Sequence, residues 1–200
     1  MSDPKFPFKL AMFIKEQSKI IGWNEGPFDF RQEASVPLVG VITRGGEMID
    51  GVLKTEVDVD GLNGTNLLST AINESKHSEE LNLVVLAGVT LAGFNVVDIS
   101  KVSENTNLPV LSVTREKVDM ESFKSALKNL TNFRQRWKAV KNAGEISEYK
   151  LEGHQIYYQT ANLSAHEAER ALEVTTTHSA LPEPIRLAGI IATSLVRGES

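Results

Sequence analysis

The chain has 200 residues, a formal net charge of −5 and a sequence pI near 5.5, and 41% of its residues are hydrophobic. A chain of this length and hydrophobic content can bury a full core, which predicts one compact domain. The absence of cysteine excludes disulfides, thiolate metal sites and a cysteine nucleophile. The acidic balance argues against indiscriminate binding of nucleic acid, but it does not exclude a local basic surface.

The first 17 residues contain no long apolar stretch followed by small residues, as a secretory signal would. No stretch of the chain approaches the roughly 18 apolar residues of a membrane span. We therefore predict a cytoplasmic protein without a membrane segment. Residues 1–17 are assigned to an N-terminal extension and residues 18–200 to the domain.

Apolar periodicity predicts three neighbouring antiparallel strands at the start of the domain. Residues 18–23 form the first strand, and residues 36–61 form two more, joined by a hairpin at Gly45–Gly46. An alternation of helices and strands follows at residues 65–75, 81–88, 95–106 and 108–113. Alternation of this kind predicts parallel strands joined by right-handed crossovers.

The rest of the chain predicts four helices and one further hairpin. The helices are expected at residues 119–130, 132–142, 164–176 and 183–197. The hairpin is expected at residues 145–160, with its turn at Gly153–His154. The order β-β-β-α-β-α-β with added helices is that of a ribonuclease H-like α/β domain, a mixed sheet flanked by helices. Fold order alone does not specify a function.

In such a sheet the first strand is central, and divalent cations would bind at its C-terminal end. Mg²⁺ takes hard oxygen ligands, commonly a few carboxylates completed by water and phosphate. In phosphodiester cleavage such metals activate water and stabilise the leaving oxygen. The corresponding strand ends here read "GWNEGPF", "VDVDGLNGT" and "VVLAGVTLAGFN".

At these segments the chain resembles a known family. The stretches "IIGWNEGPF", "VDVDGLNGT", "LAGVTLAGFNVVDI" and "LPEPIRLAGIIATSLVRGES" resemble the archaeal endonuclease dU family, a largely uncharacterised group of endonuclease V-like proteins. The resemblance extends over residues 18–200. It implies a ribonuclease H-like fold, Mg²⁺ as cofactor and, by relation to endonuclease V, metal-assisted cutting of DNA or RNA.

The same resemblance implies metal-site residues from which this chain departs. The family pattern has an aspartate where this chain has Asn24, and further aspartates where it has Asn63 and Ala87. It commonly has a histidine where this chain has Gly189. An amide oxygen brings no negative charge to hold Mg²⁺, and a methyl group cannot ligate at all. These four positions are therefore predicted to form a degenerate site.

Glu25 and Asp60 are the carboxylates that survive as candidate catalytic groups and metal ligands. Because successive strand residues face opposite ways, Glu25 replaces Asn24 only if the chain has already left strand geometry at Gly26. We predict an endonuclease V-like protein with impaired catalysis that binds nucleic acid or a protein partner, including a second copy. The alternative is an active Mg²⁺-dependent endonuclease that uses Glu25 and Asp60.

Residues 115–141 contain eight Lys or Arg and three Asp or Glu, a balance of +5 in a chain of net charge −5. In one interpretation Trp137 stacks a splayed base while Arg136 and Lys138 hold the nucleic-acid backbone. The interpretation that we favour is a solvated helix face with Trp137 packed against the domain, because long basic side chains commonly cover a surface.

Two arginines have two possible roles each, and other polar residues are candidate contacts or helix caps. Arg44 and Arg186 would bind phosphate or form structural ion pairs, since the arginine fork matches both kinds of oxygen. Asn95 is a candidate ligand contact at the mouth of the site, whereas Asp98 is expected to cap the following helix. Ser164 and Glu167 form a capping box before another helix.

Overall fold

The computed structural model of the chain describes residues 14–200. Its strands are β1 Lys19–Glu25, β2 Ser35–Arg44, β3 Met48–Asp58, β4 Leu81–Leu86, β5 Thr90–Leu91, β6 Asn95–Val96, β7 Val110–Thr114, β8 Ser147–Leu151 and β9 His154–Ala161. Its helices are α1 Gly64–Asn73, α2 Ile99–Thr106, α3 Met120–Leu127, α4 Phe133–Asn142, α5 Ala165–Thr175 and α6 Glu183–Arg197.

A seven-stranded mixed sheet of order β3-β2-β1-β4-β7-β9-β8 forms the centre of the fold. Strands β1, β2 and β3 are antiparallel neighbours, and β4 and β7 continue the sheet parallel to β1. The hairpin of β8 and β9 completes the far edge in antiparallel pairing. This topology confirms the predicted ribonuclease H-like α/β class.

The alternation of β1 assigns its residues to two faces of the sheet. Ile21 and Trp23 belong to the core cluster that also contains residues of α1 and α2. Ile20 belongs to the cluster that contains residues of α5 and α6. Between them, Gly22 lets α6 approach the strand, because a Cβ there would lie 2.5 Å from the backbone N of Ile185. The C-terminal end of β1 therefore lies between two helical layers.

Two local expectations were wrong. Asn95 and Val96 form the short strand β6, which pairs with β5. The helix begins only at Ile99, after the N-cap Asp98. The last hairpin turns at Glu152–Gly153, because Leu151 pairs with His154. Both turn residues have positive φ, 49° and 88°, as a tight two-residue hairpin turn requires. Capping by Asp98 and the capping box of Ser164 and Glu167 are confirmed.

The N-terminal segment is described only from Ile14 onward, so most of the predicted extension lies outside the described residues. Ile14 itself is 2% exposed and packs with the α5–α6 core cluster. Within residues 14–200, no helix combines the length and the hydropathy needed to cross a bilayer. The domain boundary at residue 18 and the cytoplasmic location stay predictions.

Candidate functional site

Asn24 lies on the α6 face of β1, and both ends of its amide have partners. Its Nδ2 donates to the carbonyl oxygen of Ile185 at 3.2 Å, and its Oδ1 accepts from the backbone N–H of Glu25 at 3.0 Å. Position 189 faces the same amide, since a Cβ on Gly189 would lie 2.7 Å from Asn24 Nδ2. The amide thus links β1 to α6 in space that a side chain at position 189 would occupy.

Ala87 belongs to the same end of the sheet. Strands β1 and β4 are parallel with Trp23 beside Leu86, so the next residues, Asn24 and Ala87, follow side by side. Ala87 packs against the α5–α6 core cluster. Asn24, Ala87 and Gly189 are therefore brought together, as predicted from their family positions. They offer one neutral amide whose oxygen is already bonded, which does not fit a divalent cation.

Glu25 points to the opposite face of the sheet. It is the last residue of β1 and still pairs with Leu38, so the chain has not left strand geometry at this point. Its Oε1 accepts a hydrogen bond from the backbone N–H of Ala92 at 3.0 Å. Burial raises the pKa of Glu25, and the bond from Ala92 acts in the other direction. The chain leaves the strand at Gly26, but Glu25 itself still faces away from Asn24. Its role as a metal ligand in place of Asn24 stays a prediction.

Asp60 meets Glu25 at the turn between β5 and β6. Its Oδ1 accepts from the backbone N–H of Phe94 at 2.8 Å, and its own N–H donates to the carbonyl of Ala92 at 2.9 Å. Asp60 and Ala92 both have left-handed backbones, with φ of 51° and 44°. Such conformations are uncommon outside glycine and persist where surrounding contacts hold them. The two surviving carboxylates thus hold this turn in place.

The described residues, 14–200, contain no group of three or more His, Asp or Glu side chains that could hold a metal ion. A cation at the β5–β6 turn would rest on the two carboxylates of Glu25 and Asp60. Mg²⁺ does bind through one or two carboxylates when substrate phosphates complete its shell. The metal role of these two residues stays a prediction.

Asn95 is fully buried and bridges three parts of the chain. Its Oδ1 accepts from the backbone N–H of Gly64 at 3.0 Å, in the first turn of α1. Its Nδ2 donates to the carbonyl of Asp58 at 3.0 Å and to Oδ1 of Asn63 at 2.6 Å. Asn95 therefore caps α1 from outside that helix. Its predicted contact with a ligand stays untested.

Arg136 is 3% exposed and all its hydrogen bonds go to backbone carbonyls. Nη1 donates to Gly61 at 2.8 Å and to Phe94 at 2.6 Å, and Nη2 donates to Asp60 at 2.6 Å. Nε donates to Thr131 at 3.0 Å. Burial lowers the pKa of Arg136, and the negative charge of Asp60 opposes that shift. Arg136 thus joins α4 to the loop after β3 and to the β5–β6 turn, a role that sequence reasoning missed.

Trp137 is half-buried against the domain. Its ring stacks on Phe133 with centroids 6.3 Å apart, and the Nζ of Lys124 lies 5.0 Å from its centroid. Both aromatic rings pack on the small core cluster formed around α3 and α4. The packed arrangement is therefore the one observed, and base stacking by Trp137 stays a prediction.

An acid-free stretch of sequence, residues 122–144, carries the exposed cations of α3 and α4. Five of them, which we call the basic surface, form no ion pair within residues 14–200: Lys124, Lys128, Arg134, Lys138 and Lys141. Unpaired cations on one side of an acidic chain are the electrostatic pattern of a surface that binds polyanions.

Arg44 and Arg186 both form ion pairs. Nε of Arg44 lies 2.8 Å from Oδ2 of Asp50. Arg186 forms a two-pronged pair with Glu183, at 2.8 Å for each bond, and Glu183 is 2% exposed. The ion-pair alternative is thus the arrangement observed for both arginines, and phosphate binding by either stays a prediction.

Comparison with known proteins gives consistent relatives along nearly the whole chain. The family described as endonuclease dU matches residues 16–196. A UPF0215 protein of Methanothermobacter thermautotrophicus is 42% identical over 189 residues, which cover 94% of this chain and 92% of that protein. A UPF0215 protein of Archaeoglobus fulgidus is 42% identical over 163 residues, covering 82% of this chain and 87% of its own length.

Solved structures agree with this fold. The crystal structure of an Archaeoglobus fulgidus protein of unknown function has a TM-score of 0.82 and 38% identity, covering 90% of this chain and 99% of that one. Endonuclease V of Ciona intestinalis, bound to a 24mer DNA containing an inosine followed by a ribo-adenosine, has a TM-score of 0.61 and 13% identity. That match covers 90% of this chain and 87% of the endonuclease V chain, and at this identity it shows the fold alone.

Proposed function

The chain belongs to the endonuclease dU family, and from this premise we propose that it is a degenerate endonuclease V-like protein that binds nucleic acid with little or no cleavage. One contrast carries the proposal. Asn24, Ala87 and Gly189, the family's site positions that meet at the end of β1, carry no carboxylate, whereas five unpaired cations form the basic surface on α3 and α4.

Hydrolysis of a phosphodiester needs an activated water and a stabilised leaving oxygen, which a bound cation supplies in metal-dependent nucleases. Asn24 has no charge to offer a cation, and its amide is already bonded to β1 and α6. Glu25 and Asp60 keep their carboxyl groups, but on the other face and in contact with a backbone turn. This arrangement supports impaired catalysis.

Binding through the basic surface would be governed by Coulomb attraction and counterion release. For single strands the slope of log affinity against log salt is about −0.7 for each phosphate neutralised. Five unpaired cations therefore predict a slope of up to about −3.5 for a single-stranded oligonucleotide. Lys138→Glu should weaken binding and flatten this slope, whereas Lys150→Glu, an exposed lysine on β8, should leave both unchanged.

The deciding assay is cleavage of labelled single-stranded, branched and deaminated DNA and RNA in Mg²⁺ and Mn²⁺. We expect no cutting by the native chain and a gain of cutting in the triple variant Asn24→Asp, Ala87→Asp, Gly189→His. Cutting by the native chain that disappears in Asp60→Ala would contradict the proposal. It would establish instead the alternative of a reduced metal site at Glu25 and Asp60.

A further inference from the structure

Phe30 is the most exposed large apolar side chain of the described residues, 60% exposed. It lies in the loop between β1 and β2, whereas the other exposed apolar residues lie on β3 and α6. Leaving a phenylalanine side chain in water gives up the favourable burial of its apolar surface. A single exposed apolar residue is ordinary on a protein surface, so the case for a contact rests on how this ring is held and on what surrounds it.

The Phe30 ring is held in place by its own loop. It packs edge-to-face on Phe28, with centroids 4.6 Å apart, and Phe28 packs on the main core cluster. Asp29 closes the turn beneath it: Oδ1 accepts from the N–H of Arg31 at 2.9 Å, and Oδ2 accepts from Nε2 of Gln32 at 2.8 Å. A ring ordered before binding loses little entropy when a ligand stacks on it.

The ring also lies against the turn that carries the surviving carboxylates. A Cβ on Gly93 would be 2.7 Å from Cε1 of Phe30 and 2.5 Å from Oδ1 of Asp60, so only glycine fits between them. The next residue, Phe94, accepts a hydrogen bond from Arg136 of α4 at 2.6 Å. Gly93 and Phe94 of this turn therefore link the exposed ring to α4, the helix that carries three of the five cations of the basic surface.

The charges around the ring select the part of a nucleotide that would contact it. Asp29 precedes Phe30 in the chain, and Asp60 lies across Gly93 from the ring, with Arg31 as the next residue, so phosphate is not favoured over the ring itself. Three cations of the basic surface are on α4, the helix that Arg136 joins to this turn, and they would attract phosphates. A strand of nucleic acid crossing both places would present a neutral, planar base to Phe30.

We propose that Phe30 is a stacking platform for one unpaired nucleobase of a strand whose phosphates lie on the basic surface. This inference rests on the proposed nucleic-acid binding and adds to it the class of ligand, an unpaired base. Stacking is tolerant of base identity, because every base has a π face.

The test measures binding of two probes of equal charge, a labelled oligodeoxythymidine of about 12 nucleotides and an abasic chain of the same length. Phe30→Ala should weaken binding of the oligodeoxythymidine about 5- to 150-fold and leave binding of the abasic chain unchanged. Phe30→Trp should retain the affinity, because it keeps an aromatic face. Val52→Ala, which removes another half-exposed apolar side chain, on β3, is the matched control and should have no effect.

Equal affinity of Phe30→Ala and the native chain for oligodeoxythymidine would overturn the inference while leaving nucleic-acid binding intact. Equal losses on both probes would also overturn it, because the ring would then act on something other than a base. If Phe30→Ala splits an oligomer in sedimentation without changing affinity, Phe30 belongs to a protein contact. A native chain that binds neither probe would remove the proposed function as well as this inference.

Discussion

The two faces of the sheet at the end of β1 carry different polar groups: a neutral amide on one face and carboxyl groups on the other. On the α6 face, Asn24 is a neutral amide bonded to Ile185 and Glu25, with Gly189 opposite. On the other face, the carboxyl groups of Glu25 and Asp60 accept hydrogen bonds from the β5–β6 turn. The two regions are separated by one step along the strand, since neighbouring strand residues face opposite ways.

Under the proposed function, the carboxyl groups of Glu25 and Asp60 stabilise a turn and do not serve catalysis. The neutral region, which consists of Asn24, Ala87 and Gly189, is held together by hydrogen bonds of the Asn24 amide and by apolar packing, and these contacts need no cation. The charged region, which consists of Glu25 and Asp60, accepts hydrogen bonds from the β5–β6 turn. The buried Arg136 donates hydrogen bonds to backbone carbonyls of the same loops. The following changes break or sharpen that contrast, from the largest expected effect to the smallest.

Arg136→Met should have the largest effect. It leaves the part-buried backbone carbonyls of Asp60, Gly61 and Phe94 without the guanidinium donor, which we expect to lower the free energy of unfolding by about 3 kcal/mol. Urea denaturation followed by circular dichroism measures the change. Arg134→Met, an exposed cation on the same helix, is the control and should stay within about 0.5 kcal/mol of the native chain. Equal effects of the two substitutions would mean that the carbonyl contacts do not hold the loops.

Asn24→Asp should come next. At neutral pH it replaces the Nδ2 donor with a carboxylate oxygen facing the Ile185 carbonyl, which we expect to cost about 1–2 kcal/mol of stability. Protonation of the new carboxyl restores a donor, so thermal unfolding of the variant should approach that of the native chain near pH 4. Asn66→Asp, on the exposed side of α1, serves as the control. A variant as stable as the native chain at pH 7 would show that the amide link is not needed.

Gly189→Ala tests the space opposite Asn24. An alanine in a helix interior is usually about 1 kcal/mol more stable than glycine, but here its Cβ would displace the Asn24 amide. We therefore expect no gain from Gly189→Ala alone, and a recovered gain when it is combined with Asn24→Ala. The coupling free energy from this double-mutant cycle should be about 1 kcal/mol. A coupling of zero would mean that the two positions do not share the space.

Glu25→Gln should have the smallest effect, seen as a trend with pH. Burial raises the folded-state pKa of Glu25 above its unfolded value, so the native chain binds more protons than the unfolded chain between the two values. The free energy of unfolding of the native chain should therefore fall as pH rises through this window. Glutamine keeps an oxygen for the Ala92 N–H but does not titrate. Its advantage over glutamate should be present at pH 7 and absent at low pH, and a difference independent of pH would contradict this account.

The fold and the neutral region were largely predictable from the sequence. Strand and helix periods are local, so β1 to β4, α5 and α6 were expected close to their observed bounds. The family pattern identified Asn24, Ala87 and Gly189. The parallel pairing of β1 and β4 places Asn24 beside Ala87, whereas Gly189 meets Asn24 only because α6 packs on β1. The β5–β6 turn was not predictable, because two-residue strands show no periodicity and Asn95–Val96 read as the start of a helix.

The charged region depended on contacts between distant parts of the chain. Asn95 caps α1 across 31 positions, and Arg136 reaches Gly61 across 75 positions. Residue type at these positions indicated polar groups that need partners, but several partners satisfy the same need.

By itself, the sequence determined the order of most elements and several of their caps, since these depend on local periodicity and residue chemistry. The departures at Asn24, Asn63, Ala87 and Gly189 came from the family resemblance. Only the tertiary structure decided that Glu25 faces away from Asn24 and that the Arg136 side chain donates all its hydrogen bonds to backbone carbonyls. It also decided that Phe30 is exposed to solvent near Asp60. The physical reason is that packing chooses among partners that are equivalent in residue type and differ only in their position in space.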